Sequence, residues 1–368
     1  QGEVTVSGAK NAVLPAIAAC LLTEDALELN NVPLVKDVQT MLTLISELGA
    51  SCALDEKHRT LTLQAKKIKS TEAPYKLVRA MRASILVLGP LLARSGRATV
   101  ALPGGCAIGT RPVDLHISGL QKLGASLKIE HGYIIAEARR LNGTEIEFEK
   151  KTVTGTENLV MAACLARGET VLKNCALEPE VVNLCELLVK MGAKIDGIGE
   201  ETLRITGSRE LGGAKHRIIP DRIETGTFMV ASALTRGDLI LKEVEPRHIE
   251  AITDKLIIAG SQVEQVSPNI IRVRGSEEIK PQDITTAPYP GFPTTSNSPR
   301  RRGRSRTGSP FPAPRSRALR PSGPISPASW WPRCARWSGI RTRINFPCAG
   351  SSTARRSCRW CAARPMWR

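Results

Sequence analysis

Between Ser296 and Arg368 there is no aspartate, no glutamate and no lysine, yet there are seventeen arginines. The other 35 of the chain's 52 basic residues lie in positions 1–295 and are balanced there by all 35 acidic residues. The formal charge of +17 therefore belongs to the last stretch and makes no case for a nucleic-acid-binding body. Tryptophan is also missing from the body, since all five (Trp330, Trp331, Trp337, Trp360 and Trp367) fall after Ser296. No apolar run approaches the roughly 18 residues that span a bilayer, so no membrane partner is expected. No CxxC pair and no zinc-like spacing occurs among Cys20, Cys52, Cys106, Cys164, Cys175 and Cys185. With no signal peptide, these read as reduced thiols of a cytoplasmic protein, and the His and Cys spacing suggests no metal and no organic cofactor. The chain opens on Gln1 without an initiator methionine, so its first residues are expected to be missing.

What is present is a repeat. Each of four segments has a helix of small and apolar residues, such as Asn11 to Leu22, then a short turn and a strand, such as Ala26 to Leu29. An amphipathic helix ending in a Leu-Gly-Ala-like string and a strand or strand pair follow. The helix-ending glycines are Gly49, Gly124, Gly192 and Gly260, spaced by 75, 68 and 68 residues. Glycine there suits a left-handed C-cap. In the third segment Glu157 to Arg167 is the expected first helix, Glu169 to Leu172 the strand and Val181 to Met191 the second helix. Two helices and up to four strands per unit imply helices packed inward beneath a sheet, with several units sharing one core. A fifth unit is expected to begin near Thr285. From Ser296 on no amphipathic period is found. That stretch could be a disordered basic tail for RNA or a membrane surface, but arginine without lysine or acid, together with tryptophan and cysteine, favours a GC-rich gene translated out of frame.

The chemistry gathers in Leu102-Pro-Gly-Gly-Cys106-Ala-Ile-Gly-Thr-Arg111-Pro-Val-Asp114-Leu-His116, between a strand-like run (Ala98 to Leu102) and a helix-like one (Val113 to Leu123). Three glycines and two prolines shape that loop. Arg111 and His116 beside Cys106 would favour a thiolate or hold an anion. The plain alternative is a buried structural cysteine.

Five strings now converge: Gly8-Ala-Lys10-Asn11, Met81-Arg82-Ala-Ser84, the Cys106 loop, Pro220-Asp-Arg222-Ile-Glu-Thr-Gly226 and Thr286-Ala-Pro-Tyr-Pro-Gly-Phe-Pro. Together they resemble the UDP-N-acetylglucosamine 1-carboxyvinyltransferases, enolpyruvyl transferases of peptidoglycan synthesis, over residues 1 to about 294. The resemblance implies an α/β fold, an inside-out barrel of six repeats in two domains, here with two repeats missing. The first domain would run from 10 to 219. Residues 1–9 and 220–295 would form a partial second domain, and 296–368 the unrelated tail. It implies phosphoenolpyruvate and UDP-N-acetylglucosamine as partners. Lys10, Arg82 and Arg111 would hold phosphate and carboxylate oxygens, and Asn11 the sugar. Cys106 would transfer a proton or serve product release, and be the site fosfomycin alkylates. Arg111, Pro112, Val113, Asp114 and Leu115 would grip the uridine diphosphate end, with Lys151, Thr154 and Gly155 on its other side. The family places its base, an aspartate, where this chain has Thr295, and a neutral hydroxyl is no general base near pH 7. The chain as written is therefore expected to be inactive. Two competing readings are a shikimate-phosphate transferase of the same superfamily, and a non-enzymatic scaffold whose basic tail binds nucleic acid.

Overall fold

The computed structural model describes residues 1–102 and 113–292. The chain enters through β1 (Gly2–Thr5). Unit one follows: α1 (Lys10–Ala19), β2 (Ala26–Asn30), α2 (Lys36–Leu48) and the hairpin β3 (Ser51–Asp55) and β4 (Thr60–Gln64). Unit two begins with β5 (Glu72–Ala73) and α3 (Tyr75–Ala80), and a 3-10 turn (Arg82–Val87) leads into α4 (Leu88–Ser95). It continues with β6 (Arg97–Ala101), α5 (Asp114–Lys122), β7 (Ser126–Glu130) and β8 (Tyr133–Glu137). Unit three holds β9 (Glu145–Glu147), α6 (Val153–Ala163), β10 (Glu169–Lys173), α7 (Pro179–Lys190), β11 (Lys194–Asp196) and β12 (Thr202–Thr206). After β13 (Ala214–Arg217), unit four is α8 (Arg222–Leu234), β14 (Asp238–Lys242), α9 (Glu250–Ile258), β15 (Gln262–Ser267) and β16 (Ile270–Arg274).

Every unit builds the same four-stranded sheet. A leading strand lies parallel to the unit's main strand, which pairs antiparallel with the closing strand of the hairpin. β5 leads β6 and β9 leads β10, each leader arriving straight from the unit before. The leader of unit one is β13, which returns after unit three and pairs with β2, Leu27 opposite Ala214. Units one to three are thus closed into a ring by strand pairing. Unit four takes its leader from the chain start, β1 against β14.

The helices fill the inside. Ala12 to Ala19 of α1 and Gly155 to Ala163 of α6 are buried on every side, as their run of small and apolar residues predicts. α1 packs against α2 and α7, and α4 and α6 pack against each other. One hydrophobic core runs through the first three units, from Ala9 to Ile218. A separate, smaller core of Val6, Met229, Ala233, Leu241, Val244, Ile249, Leu256, Ile271 and Val273 belongs to unit four.

Gly49, Gly124, Gly192 and Gly260 all sit at positive φ, between 90° and 116°, where L side chains are strained. The repeat read from those glycines is therefore real. Two boundaries differ from expectation. The first helix gives way at Cys20–Leu22 to a 3-10 turn. In unit three the helix starts at Val153 rather than Glu157, because Thr152 caps it by accepting from the Gly155 N–H at 3.2 Å. A β-branched run ending in glycine carries no apolar period that would announce a helix start. Near Thr285 the chain makes a turn, with Ala287 N–H donating to the Phe292 carbonyl at 2.9 Å, and the rest of the expected fifth unit lies outside the described residues.

Candidate active site

Two chain segments cross between the ring and unit four, and they clasp each other. Ala9 N–H donates to the Ile219 carbonyl at 2.8 Å, and Asp221 N–H donates to the Ser7 carbonyl at 2.9 Å. Gly8 stands between them, and a Cβ there would come within 1.8 Å of the Asn31 carbonyl oxygen. Only glycine fits at that approach. Asp221 caps α8, its Oδ1 accepting from Ile223 and Glu224 N–H at 2.8 and 3.1 Å. Its Oδ2 accepts from the Lys10 backbone N–H at 3.3 Å, so one carboxylate serves the first turns of two helices. The Lys10 ammonium is paired with Asp37 at 3.0 Å, both side chains partly open to solvent. An arriving phosphate would have to compete with that carboxylate. Asn11 follows on the same turn and is exposed.

A second group forms around His116. Asn158 is pinned by its own amide: Oδ1 accepts from Gly89 N–H at 2.7 Å, and Nδ2 donates to the Ile85 carbonyl at 3.1 Å. Asn158 Nδ2 therefore also donates to His116 Nδ1 at 3.0 Å, which assigns the imidazole proton to Nε2. That N–H points at Thr154 Oγ1, 3.3 Å away. Burial, helped by the charge of Arg82, lowers the His116 pKa to about 4, and Asp114 opposes the shift. His116 is a neutral strut between α5 and α6. This corrects the expectation that it favours a thiolate or holds an anion, since a buried imidazole carries no positive charge near neutral pH. Arg82, Asp114 and Thr154 are thereby gathered around one ring. Val113 and Leu115 flank the start of α5, half-buried against the core or beside it. Gly155 has no room for a Cβ, which would lie 2.4 Å from Thr152 Cγ2. Lys151 is turned toward Glu201, to which it donates. Cys106, Arg111, Pro112 and Thr295 lie outside the described residues.

A third group was given no role from sequence, although Arg222 and Tyr289 lie in two of the five strings. Arg222, at the start of α8, donates to both carboxylate oxygens of Glu180 at 3.1 and 3.3 Å. Glu180 is 3% exposed. Tyr289 lies under the Arg222 guanidinium, 5.4 Å from centre to ring. Glu157 is buried nearby with Oε1 unpartnered. Burial and the charges of Glu180 and Glu178 hold its carboxyl well above the usual carboxylate range, which favours the protonated form. Arg222 and Glu180 are 42 residues apart, so no local pattern links them, and beyond the two strings the one local signal was Glu157, a charged residue breaking an apolar helix face in α6. Among the described residues no group of three or more His, Cys, Asp or Glu is placed to hold a metal ion. Nor is any helix there long and apolar enough to cross a membrane.

Solved structures show the same architecture. The enolpyruvyl transferase NikO from Streptomyces tendae superimposes with a TM-score of 0.69 at 21% identity, over 79% of this chain and 69% of that one. An EPSP synthase from Acinetobacter baumannii gives 0.59 at 19%, over 76% and 66%. The fold is that of the enolpyruvyl transferases.

The sequence places the chain further. The family model for EPSP synthase (3-phosphoshikimate 1-carboxyvinyltransferase) matches residues 1–306. A UDP-N-acetylglucosamine 1-carboxyvinyltransferase of Koribacter versatilis is 57% identical over 295 residues, which are 80% of this chain and 68% of that protein. A protein of the same name from Solibacter usitatus is 54% identical, over 80% and 70%. This chain belongs to the carboxyvinyl (enolpyruvyl) transferase family, a family of enzymes.

Proposed function

We propose that the site is built to transfer the enolpyruvyl group of phosphoenolpyruvate to the 3'-hydroxyl of UDP-N-acetylglucosamine, a step of peptidoglycan synthesis. The hydroxyl oxygen bonds to C2 while C3 gains a proton. The hydroxyl proton goes to a base, and the adduct then loses phosphate as the bond from C2 to the phosphate oxygen breaks and C3 gives up a proton. The single observation that carries this reading is the 57% identity to a relative of that name. Relatives at that level bear the nucleotide-sugar name rather than the shikimate one, which favours UDP-N-acetylglucosamine as acceptor.

In this reading Lys10, Arg82 and Arg111 hold the phosphoenolpyruvate anions. Asn11 contacts the sugar, and Cys106 handles a proton or product release. Pro112, Val113, Asp114 and Leu115 face Lys151, Thr154 and Gly155 across the uridine diphosphate. The His116 bond to Thr154 supports that pairing, because it ties the first turns of α5 and α6 together. The two separate cores support a division into a first domain of 10–219 and a partial second one of 1–9 and 220–295. The reading also places the protein in the cytoplasm, where those substrates are made.

The chain as written is read as inactive, because Thr295 cannot take the hydroxyl proton. A phosphate-release assay with both substrates tests this on the full 368-residue chain. Background rates are expected, together with a thermal shift on adding UDP-N-acetylglucosamine and none with shikimate 3-phosphate. Turnover at an ordinary enzymatic rate would refute the inactivity. A shift with shikimate 3-phosphate alone would refute the acceptor.

A further inference from the structure

The hydrogen bonds around His116 run in one direction, and that direction is set by a group that can only donate. The Gly89 backbone N–H donates to Asn158 Oδ1 at 2.7 Å. The amide is thereby turned so that its Nδ2 hydrogens face the Ile85 carbonyl at 3.1 Å and His116 Nδ1 at 3.0 Å. Nδ1 has to accept, so the ring proton sits on Nε2. Nε2–H reaches Thr154 Oγ1 at 3.3 Å. Because that oxygen accepts from the ring, the hydroxyl's own hydrogen is turned away from the ring.

Each link is held in place by packing. Asn158 and His116 are both buried. A Cβ at position 89 would lie 2.4 Å from Asn158 Oδ1, so the amide seats there only against glycine. Burial lowers the His116 pKa to about 4, so the imidazole stays neutral and the direction of the chain is the same throughout the neutral pH range.

Thr154 lies at the other end, half-buried at the second position of α6. A threonine inside a helix commonly spends its hydroxyl on the carbonyl four residues back. Thr156 does so, donating to the Thr152 carbonyl at 2.7 Å. The residue four back from Thr154 is Lys150, which precedes the helix and its Thr152 cap. Among the described residues, His116 is the one hydrogen-bond partner of the Thr154 side chain. Its O–H is a donor with a fixed heading and no use inside the protein.

We propose that His116 is a positioning residue for substrate binding, fixing the Thr154 hydroxyl as a hydrogen-bond donor to a phosphate oxygen of the nucleotide sugar's diphosphate. A hydroxyl already accepting from the ring recognises an acceptor. A phosphate oxygen at the first turn of α6 also meets the positive end of that helix. His116 is buried and acts only through Thr154. The inference rests on the UDP-N-acetylglucosamine reading and refines it, by giving one hydroxyl a donor role that traces back to the Gly89 backbone.

The test is titration calorimetry of the full 368-residue chain with UDP-N-acetylglucosamine near pH 7.5, together with proton–nitrogen NMR of the imidazoles. Thr154→Val keeps the shape and removes the hydroxyl, and should weaken binding about tenfold or more, as for a lost bond to a charged group. Thr154→Ser should bind nearly as the parent does. His116→Gln should weaken binding in the parent background and leave it unchanged in the Thr154→Val background. A purely structural His116 would lower both alike. The imidazole signal that His116→Gln removes should show its proton on Nε2 before any ligand is added. That proton should move downfield when UDP-N-acetylglucosamine binds, because an oxygen that donates becomes a better acceptor.

A ring proton found on Nδ1 overturns the inference whatever the chain binds. Thr154→Val binding as tightly as a parent that does bind overturns it too, as do equal His116→Gln losses in the two backgrounds. Those results leave the nucleotide-sugar reading standing. A parent chain that does not bind UDP-N-acetylglucosamine overturns that reading, and this inference with it.

Discussion

Asp221 and Lys10 are 211 positions apart, and the carboxylate of one accepts the backbone N–H of the other while also capping α8. That single side chain fastens the start of unit four to the start of unit one. Asp221→Ala is expected to lower stability by about 1–2 kcal/mol, the range for loss of an N-cap. Asp221→Asn, which keeps an acceptor oxygen, should recover much of that. Urea denaturation of the two variants decides it, and equal losses would show that the cap contributes nothing.

Gly8 lies in the same clasp, facing the Asn31 carbonyl. Gly8→Ala forces the two segments apart or turns the Asn31 peptide, and overpacking of this kind costs about 1–3 kcal/mol. A melting temperature equal to that of the parent would contradict the close approach.

The Arg222–Glu180 pair is expected to behave as a buried ion pair. Arg222→Met leaves the Glu180 carboxylate buried beside Glu157 and Glu178, and should cost about 3–5 kcal/mol. The double variant with Glu180→Met should cost less than the sum of the two singles. A double-mutant cycle with zero coupling would show the pair to be incidental.

His116 and His216 give the protein a defined acid limit. Burial lowers both to about 4 from an ordinary 6.5. In the unfolded chain they take up protons below pH 6.5, while the folded chain refuses them until about pH 4. The unfolded state thus binds more protons in that window, and stability falls as pH drops through it. Over about 2.5 pH units at 1.36 kcal/mol per unit, His116 contributes a loss on the order of 3 kcal/mol, and the less deeply buried His216 a smaller one. His116→Gln should flatten the slope measured by denaturation at pH 4.5, 5.5 and 6.5.

Glu157 acts with the opposite sign. Its folded pKa lies well above the usual value. Stability linked to it is whole below pH 4.5 and declines above, as the unfolded chain ionises and the folded one does not. Glu157→Gln removes that decline, so it should be more stable than the parent at pH 8 and no more stable at pH 4. A variant less stable at both would show that the protonated carboxyl makes a contact the amide cannot replace.

The repeat was legible in the sequence because helix ends have a chemistry of their own. Gly49, Gly124, Gly192 and Gly260 must be glycine to turn left-handed, whatever the rest of the molecule does. The all-round burial of α1 and α6 was legible too, since a helix that is apolar on every face has nowhere to go but inside. The relatives agree with the family read from five short strings, and the solved structures with its fold. His116 was different. From sequence it was a basic neighbour of Cys106, and only Asn158, forty-two residues away, decided that it is neutral and which nitrogen holds the proton. Glu180 and Arg222, Asp221 and Lys10, and the return of β13 to β2 were equally invisible, because nothing local marks a partner that lies far along the chain. Local backbone preference is a property of a few consecutive residues, and the sequence by itself determined the units. Charge state and pairing depend on what the other units bring within a few ångströms, so they were decided only when the chain closed on itself.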